Sequence, residues 1–205
     1  MAGARACYQR ALKIDEAAYG PDHWEVAIDV NNLGMVLQDL GDLAGARVYF
    51  ERALRIMEVA FGLDHPSVAV DLSNLGGVLK DQGDLVRARA CYERALTIMD
   101  EAYGPGHPDV ATVVNNLGMV LQDLGDLAEA LVYFKRALKI GETVYGRGHP
   151  QVAIYLNNLG GLLKDLGDLV EARLCYERAL QIFEQSLGKD HPKTETVRKN
   201  FEALG

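Results

Sequence analysis

The chain has 205 residues, 49% of them hydrophobic, and its 21 lysines and arginines against 29 aspartates and glutamates leave a net charge of −8. That apolar content supports a buried core and excludes a disordered chain, while charges interrupt every stretch before the roughly 18–20 apolar residues of a membrane span. The acidic balance excludes a phosphate-backbone binder, which needs clustered cations, so neither nucleic acid nor membrane is expected as a partner.

Met1-Ala2-Gly3-Ala4-Arg5 leads straight into helical sequence without a cationic, apolar leader pattern. Residues 2–19 read as one helix carrying Ala4, Arg5, Tyr8, Arg10, Ala11 and Leu12. From residue 23 a 42-residue period takes over. His23, His65, His107, His149 and His191 keep it, as do Asn32, Asn74, Asn116 and Asn158. Gly34, Gly76, Gly118 and Gly160 follow, and so do Gly41, Gly83, Gly125 and Gly167, each before an aspartate. The full units are therefore 23–64, 65–106, 107–148 and 149–190. A second level is visible: 23–64 matches 107–148 at 28 of 42 positions and 65–106 matches 149–190 at 26, but 23–64 matches 65–106 at only 23. Met35, Gly77, Met119 and Gly161 alternate, as do Gln38, Lys80, Gln122 and Lys164. Duplication of an 84-residue pair explains both.

Each unit reads as two helices. The first starts at His-Pro, where proline loses nothing by lacking an N–H, and runs through Val68 to Leu79 with apolar residues at helical spacing. Gly83 supplies a left-handed stop and Asp84 caps the next helix. Asp126 with Glu129, and Asp168 with Glu171, resemble capping boxes. The second helix spans Leu85 to Tyr103, burying Ala88, Tyr92, Ala95, Leu96 and Ile98, and stops at Gly104. Small residues predict a close helix crossing, Gly34 against Ala46 and Gly76 against Ala88, which a leucine at Gly118 would overfill. No segment alternates with period two, so no sheet is expected. Pro192 to Leu204 matches a first helix turned polar by Glu195, Arg198 and Glu202, as a terminal cap would be. Residues 2–19 lack that softening. Their uncovered face predicts self-association through the N-terminal helix and a chain cut from a longer array.

Cys7, Cys91 and Cys175 lie 84 residues apart, a spacing with no disulfide or metal-pair pattern. Buried thiols in a reducing cytoplasm are expected. Neighbouring histidines stand too far apart to share a metal, given helix spacings of about 8–10 Å and metal–nitrogen bonds of about 2.0–2.1 Å. They are assigned to loops or helix starts. No Gly-x-Ser-x-Gly, His-Glu-x-x-His or Walker-type loop is present, so no enzyme, cofactor or metal is expected.

Asn31-Asn32-Leu33-Gly34, Leu37, Gly41-Asp42, Ala46, Phe50 and Ala53 resemble the tetratricopeptide repeat. The 42-residue length and the His-Pro-x-Val-Ala, Asn-Asn-Leu-Gly and Glu-Arg-Ala-Leu segments are similar to kinesin light chain repeats. Comparable arrays occur in bacterial nucleotide-binding signalling regulators and nephrocystin-type proteins. Trp24 departs by replacing proline, and Leu37, Leu79, Leu121 and Leu163 by replacing a tyrosine. The resemblance implies an all-α solenoid over residues 1–205. About ten helices would stack as antiparallel pairs into a right-handed superhelix, the first helices lining a concave peptide-binding face.

On the first helix, Asn31, Met35 and Gln38 share one stripe flanked by Asp39, opposite Val30, Leu33, Leu37 and Leu40. Its equivalents are Ser73, Gly77, Lys80 and Asp81; Asn115, Met119, Gln122 and Asp123; and Asn157, Gly161, Lys164 and Asp165. The resemblance makes these peptide contacts; as an ordinary helix face they would be only solvated. Asparagine and glutamine offer donors and an acceptor to an extended backbone, and methionine adapts to varied side chains. Aspartates at a helix C-terminus oppose its dipole. They either receive a basic partner or pair with Arg47, Arg89 and their equivalents. Asn32, Asn74, Asn116 and Asn158 sit at the border, where an amide bonded across repeats competes with direct ligand contact. A non-catalytic scaffold for a protein or peptide partner leads, with a self-assembly module that sets spacing and oligomeric state as the alternative.

Overall fold

The computed structural model describes residues 2–205. Ten helices follow in chain order: α1 Ala2–Tyr19, α2 Trp24–Asp39, α3 Leu43–Phe61, α4 Pro66–Asp81, α5 Leu85–Tyr103, α6 Pro108–Leu124, α7 Leu127–Tyr145, α8 Pro150–Asp165, α9 Leu169–Leu187 and α10 Pro192–Glu202. No strand occurs among the described residues, and no helix there is long and apolar enough to cross a membrane. The helices divide into two compact bodies, one ending at Gly104 and the other beginning at Pro105. In the first, the pairs α2–α3 and α4–α5 stack through α3 on α4, with α1 against α2; in the second, α6–α7 and α8–α9 stack through α7 on α8, and α10 closes on α9.

The local rules written in each unit produce these boundaries. Each of the five histidines is the residue before a first helix, and its Nδ1 accepts the N–H two residues on, at 3.1–3.3 Å. One donor of the helix start is thereby satisfied. The ring also stacks on the aromatic that ends the preceding second helix: Phe61 on His65 and Tyr145 on His149, both at 4.7 Å. Gly83 stops α4 at φ +80°, the left-handed region. Gly104 ends α5 at φ 84°, ψ 158°, a conformation open essentially to glycine alone. Asp42, Asp84 and Asp168 accept the N–H three residues on. Asp126 makes no such cap bond.

Packing explains the glycines differently from the sequence expectation. A Cβ at Gly34 would stand 2.7 Å from the ring of Phe50, and one at Gly118 would stand 3.0 Å from Phe134; Gly76 and Gly160 meet Tyr92 and Tyr176 in the same way. The close partner is thus an aromatic ring four residues past the alanine. The alanines Ala46, Ala88, Ala130 and Ala172 are fully buried alongside. Leu33, Leu79, Leu117 and Leu121 fill the first-helix core, each burial contributing about 2 kcal/mol. Leu40 does not join them and stands 44% exposed, because it is the C-cap of α2, beyond the last turn. Cys7 also departs from expectation and is exposed. α1 packs chiefly on α2, whereas Cys91 and Cys175 are half-buried and burial pushes their thiols up, Cys175 to about 11.

The Glu-Arg-Ala-Leu arginine has a structural role that the pattern did not disclose. Arg52, Arg94 and Arg178 each reach back 31 residues to a loop carbonyl, at Pro21, Leu63 and Arg147. The same guanidinium pairs with a carboxylate of the preceding second helix, Glu16, Glu58 or Glu142, at 2.5–2.8 Å. Each clasp ties a loop and two second helices together. In α10, Arg198 pairs with Glu184 at 3.0 Å rather than standing in solvent.

Candidate functional site

The asparagine pairs form amide chains within each body. In the first, Asn74 Nδ2 donates to Asn31 Oδ1 at 2.9 Å. In the second, Asn200 donates to Asn157 at 2.9 Å, Asn157 to Asn158 at 3.2 Å, Asn158 to Asn115 at 3.0 Å and Asn115 to Asn116 at 3.3 Å. Asn115 is buried, while Asn31, Asn32, Asn74, Asn116, Asn157 and Asn158 are half-buried. The second asparagine of a pair therefore reaches the first asparagine of the unit before it, so the amides lock neighbouring first helices in register.

The glutamines and aspartates do the same at the other end of the stripe. Gln38 Nε2 donates to Asp81 at 2.7 Å and Gln122 Nε2 to Asp165 at 2.5 Å. Asp81 and Asp165 thus bond to glutamines rather than to the second-helix arginines, the intramolecular pairing expected for them. Arg47 and Arg89 are taken by Glu51 and Glu93 on their own helices, at 2.8 and 2.7 Å. Asp39, Asp123 and Lys164 are exposed, Lys80 is half-buried, and Ser73 turns its hydroxyl to the Ala69 carbonyl of its own helix. Met35 is 49% exposed and Met119 less so, its sulfur 3.7 Å from Asn158 Nδ2.

The alternation of Met35 with Gly77 and of Met119 with Gly161 has a partner on the second helices. A Cβ at Gly77 would stand 3.5 Å from the Tyr92 hydroxyl, and one at Gly161 would stand 3.6 Å from that of Tyr176. Methionine units carry Phe50 and Phe134 at the same place. The tyrosine hydroxyls thus come up beside the stripe only where glycine leaves room. From the sequence Tyr92 is expected only as a core residue of its helix, although the coupled alternation of Tyr92 and Tyr176 with glycine is legible there.

Two hollows open beside the amide chains, one in each body. A cavity of about 280 Å³ lies among α2, α3 and α4, bounded by Trp24, Ile28, Asn31, Met57, Phe61, Val70 and Asp71. Its counterpart of about 300 Å³ lies among α8, α9 and α10, with Ile154, Asn157, Phe183, Lys193, Thr196 and Val197. Ile154, Asn157 and Phe183 hold the places of Ile28, Asn31 and Met57 three periods on. Where Gly141 replaces that large residue, Tyr155 replaces Asp71 and fills the space: a Cβ at Gly141 would lie 2.8 Å from its ring. Trp24 leans on Phe61 with ring centroids 6.0 Å apart.

Asp71 is the chemical exception in this lining. It is 3% exposed, and its Oδ2 meets no hydrogen-bond partner. Burial pushes its carboxyl up to about 7. At the same register one unit earlier, Asp29 is also pushed up, by burial first and then by the hydrogen bond and charge of Asp15. No cluster of three histidine, cysteine or acidic side chains could hold a metal among the described residues.

The tetratricopeptide repeat model matches residues 25–99, 69–143, 109–185 and 151–203. The chain is a tetratricopeptide repeat protein. This family generally provides protein-interaction scaffolds and is typically non-catalytic. The repeat protein is similar to the crystal structure of BtubC (BKLC) from P. vanneervenii, at 25% identity and TM-score 0.82, over 98% of this chain and 81% of that one. It also shares the fold of a Podosopora anserina protein assigned as a kinesin light chain with nearly identical TPR-like repeats, at 19% identity and TM-score 0.75, over 89% of this chain and 86% of that one. No curated protein matches the sequence. The tetratricopeptide repeats here keep the kinesin-light-chain length of 42 residues, with helix pairs stacked as the family pattern implies.

Proposed function

We propose that the chain is a non-catalytic interaction scaffold whose first helices line a concave groove for an extended segment of a partner protein. The observation that carries this reading is the recurrence of an apolar hollow beside a half-buried asparagine, at Asn31 and again at Asn157. Hollows at one register suit side chains of an extended chain, while the unspent donors and acceptors of the amides suit its backbone. Asn31, Met35, Gln38, Asp39, Ser73, Lys80, Asp81, Asn115, Met119, Gln122, Asp123, Asn157, Lys164 and Asp165 are the proposed contact stripe. Half-buried, weakly acidic thiols at Cys91 and Cys175 fit a reducing, cytoplasmic setting.

Selection of peptides from a random display library tests the reading. Selected peptides should lose affinity about tenfold or more with Ile28→Ser or Ile154→Ser, on the scale of a lost apolar anchor, and keep it with Val132→Ser, which lies on a second helix. Peptides indifferent to both isoleucines but released by the Val132 variant would overturn it.

A second reading, self-assembly, has its own observation: Val48, Val86, Val132 and Val170 all stand well exposed on second helices. Sedimentation in which mass grows with concentration, and ceases to grow with Val86→Ser, would favour it, whereas a constant mass over a wide range removes it.

A further inference from the structure

The α2–α4 hollow differs from its counterpart in one respect that points to a ligand. Its floor carries a carboxyl oxygen that is almost wholly buried and bonded to nothing. Native structures rarely leave such an atom unpaired, because its desolvation is uncompensated. In the other hollow the same place belongs to Val197, fully consistent with an apolar floor.

We propose that the α2–α4 hollow receives a lysine side chain from the extended partner segment, with the ammonium seated on Asp71. The proposal rests on the peptide-binding reading above and adds the chemistry of one anchor. Ile28 and Val70, both partly exposed at the rim, flank the four methylenes, and Met57 and Phe61 close the far wall. Long cationic side chains bury their stems along apolar surface in this way. Trp24 and Phe61 also line the hollow, and aromatic rings attract a cation. Lysine fits better than arginine: one unpaired oxygen suits a compact ammonium, whereas a guanidinium would bring five donors into a wall that offers few acceptors.

Charge around the hollow agrees. The helices α2, α3 and α4 carry Glu25, Asp29, Asp39, Glu51, Glu58, Asp71 and Asp81 against Arg47, Arg52, Arg55 and Lys80, an acidic excess of three, while α8, α9 and α10 around the other hollow carry six acidic and six basic side chains. A cationic segment is drawn to the first and not to the second. At about 280 Å³ the hollow has room for a long side chain. Burial that raises the Asp71 carboxyl is the condition that an incoming ammonium relieves.

The test uses the full chain and three heptapeptide libraries, randomised except for a central lysine, arginine or norleucine, read by retention on immobilised protein. The lysine library should be retained about tenfold more than the norleucine library, the scale of one charge-assisted hydrogen bond. Asp71→Asn should erase that preference, and so should Asp71→Val, which copies the residue at 197 and keeps the test open if the amide folds poorly. Equal retention of lysine and norleucine libraries, both lost with Ile28→Ser, overturns the lysine anchor while leaving peptide binding standing. Equal retention of arginine and lysine overturns the choice of cation. Retention of none of the three overturns both readings together.

Discussion

The two hollows share a frame and differ in their floors. Both are roofed by an isoleucine and an asparagine of one first helix and backed by a large side chain of the second helix, Met57 or Phe183. One ends on Asp71 and the other on Val197. At the same register in the α7–α8 pair Thr112 stands for the isoleucine and Gly141 for the large residue, and Tyr155 fills the space beside that glycine. In an array of near-copies the shared residues build the scaffold, and the few departures decide what each position can hold. Those departures come in matched sets, since a large floor residue requires a small wall residue behind it.

Substitutions at four kinds of position break or sharpen this comparison. Val197→Asp puts a carboxylate at a site 2% exposed and should lower stability at pH 8 by about 3–5 kcal/mol, with partial recovery at pH 5 where the group takes up a proton. Thermal melts that do not move at pH 8 would mean the two floors are equivalent. Tyr155→Val should open a hollow beside Gly141 at a loss of about 2–4 kcal/mol by denaturant titration, and adding Gly141→Met should return most of it. Failure of that rescue would sever the link between the two positions.

Asp71→Val should stabilise, by about 2–4 kcal/mol above pH 7. The sign follows from a carboxyl raised to about 7 in the folded chain against about 4 when unfolded. Below pH 4 both states hold the proton and no penalty exists. Between pH 4 and 7 the unfolded state alone ionises, so the wild type loses stability as pH rises, and above 7 the loss is complete. The gain measured for Asp71→Val should therefore shrink on acidification; a gain independent of pH would contradict the buried carboxylate. The smallest effect belongs to the amides. Asn74→Ala and Asn158→Ala should each cost about 1 kcal/mol, and Asn158 more, because it both donates to Asn115 and accepts from Asn157.

Much of this architecture was readable in the repeat. Leu85 to Tyr103 is helical over the expected span, since an aspartate cap, apolar spacing and a glycine stop all speak locally. The histidines start helices for the same reason. Contacts between units were legible only in kind, an amide bonded across repeats being expected at Asn74, while the partner of each stayed hidden. Gln38 meets Asp81 and Asn74 meets Asn31, each pair 43 residues apart. Such pairings depend on how one helix pair is offset against the next, which no local spacing encodes. Gly34 was assigned to Ala46 because small residues suggest each other, whereas the structure gives it a large ring that needs the space. Asp71 went unremarked for a further reason. It stands between Val70 and Leu72 as an ordinary polar break, and only the packing of α4 on α3 removes it from water.

The fit of Tyr155 into the space at Gly141 has an evolutionary corollary. Copies this alike invite unequal recombination, which would add or delete whole repeats. A deletion that set Tyr155 behind Met57 or Met99 instead would force its ring into an occupied wall. The matched seam thus acts as a serial number, making this order of repeats harder to shuffle than the likeness of its units suggests.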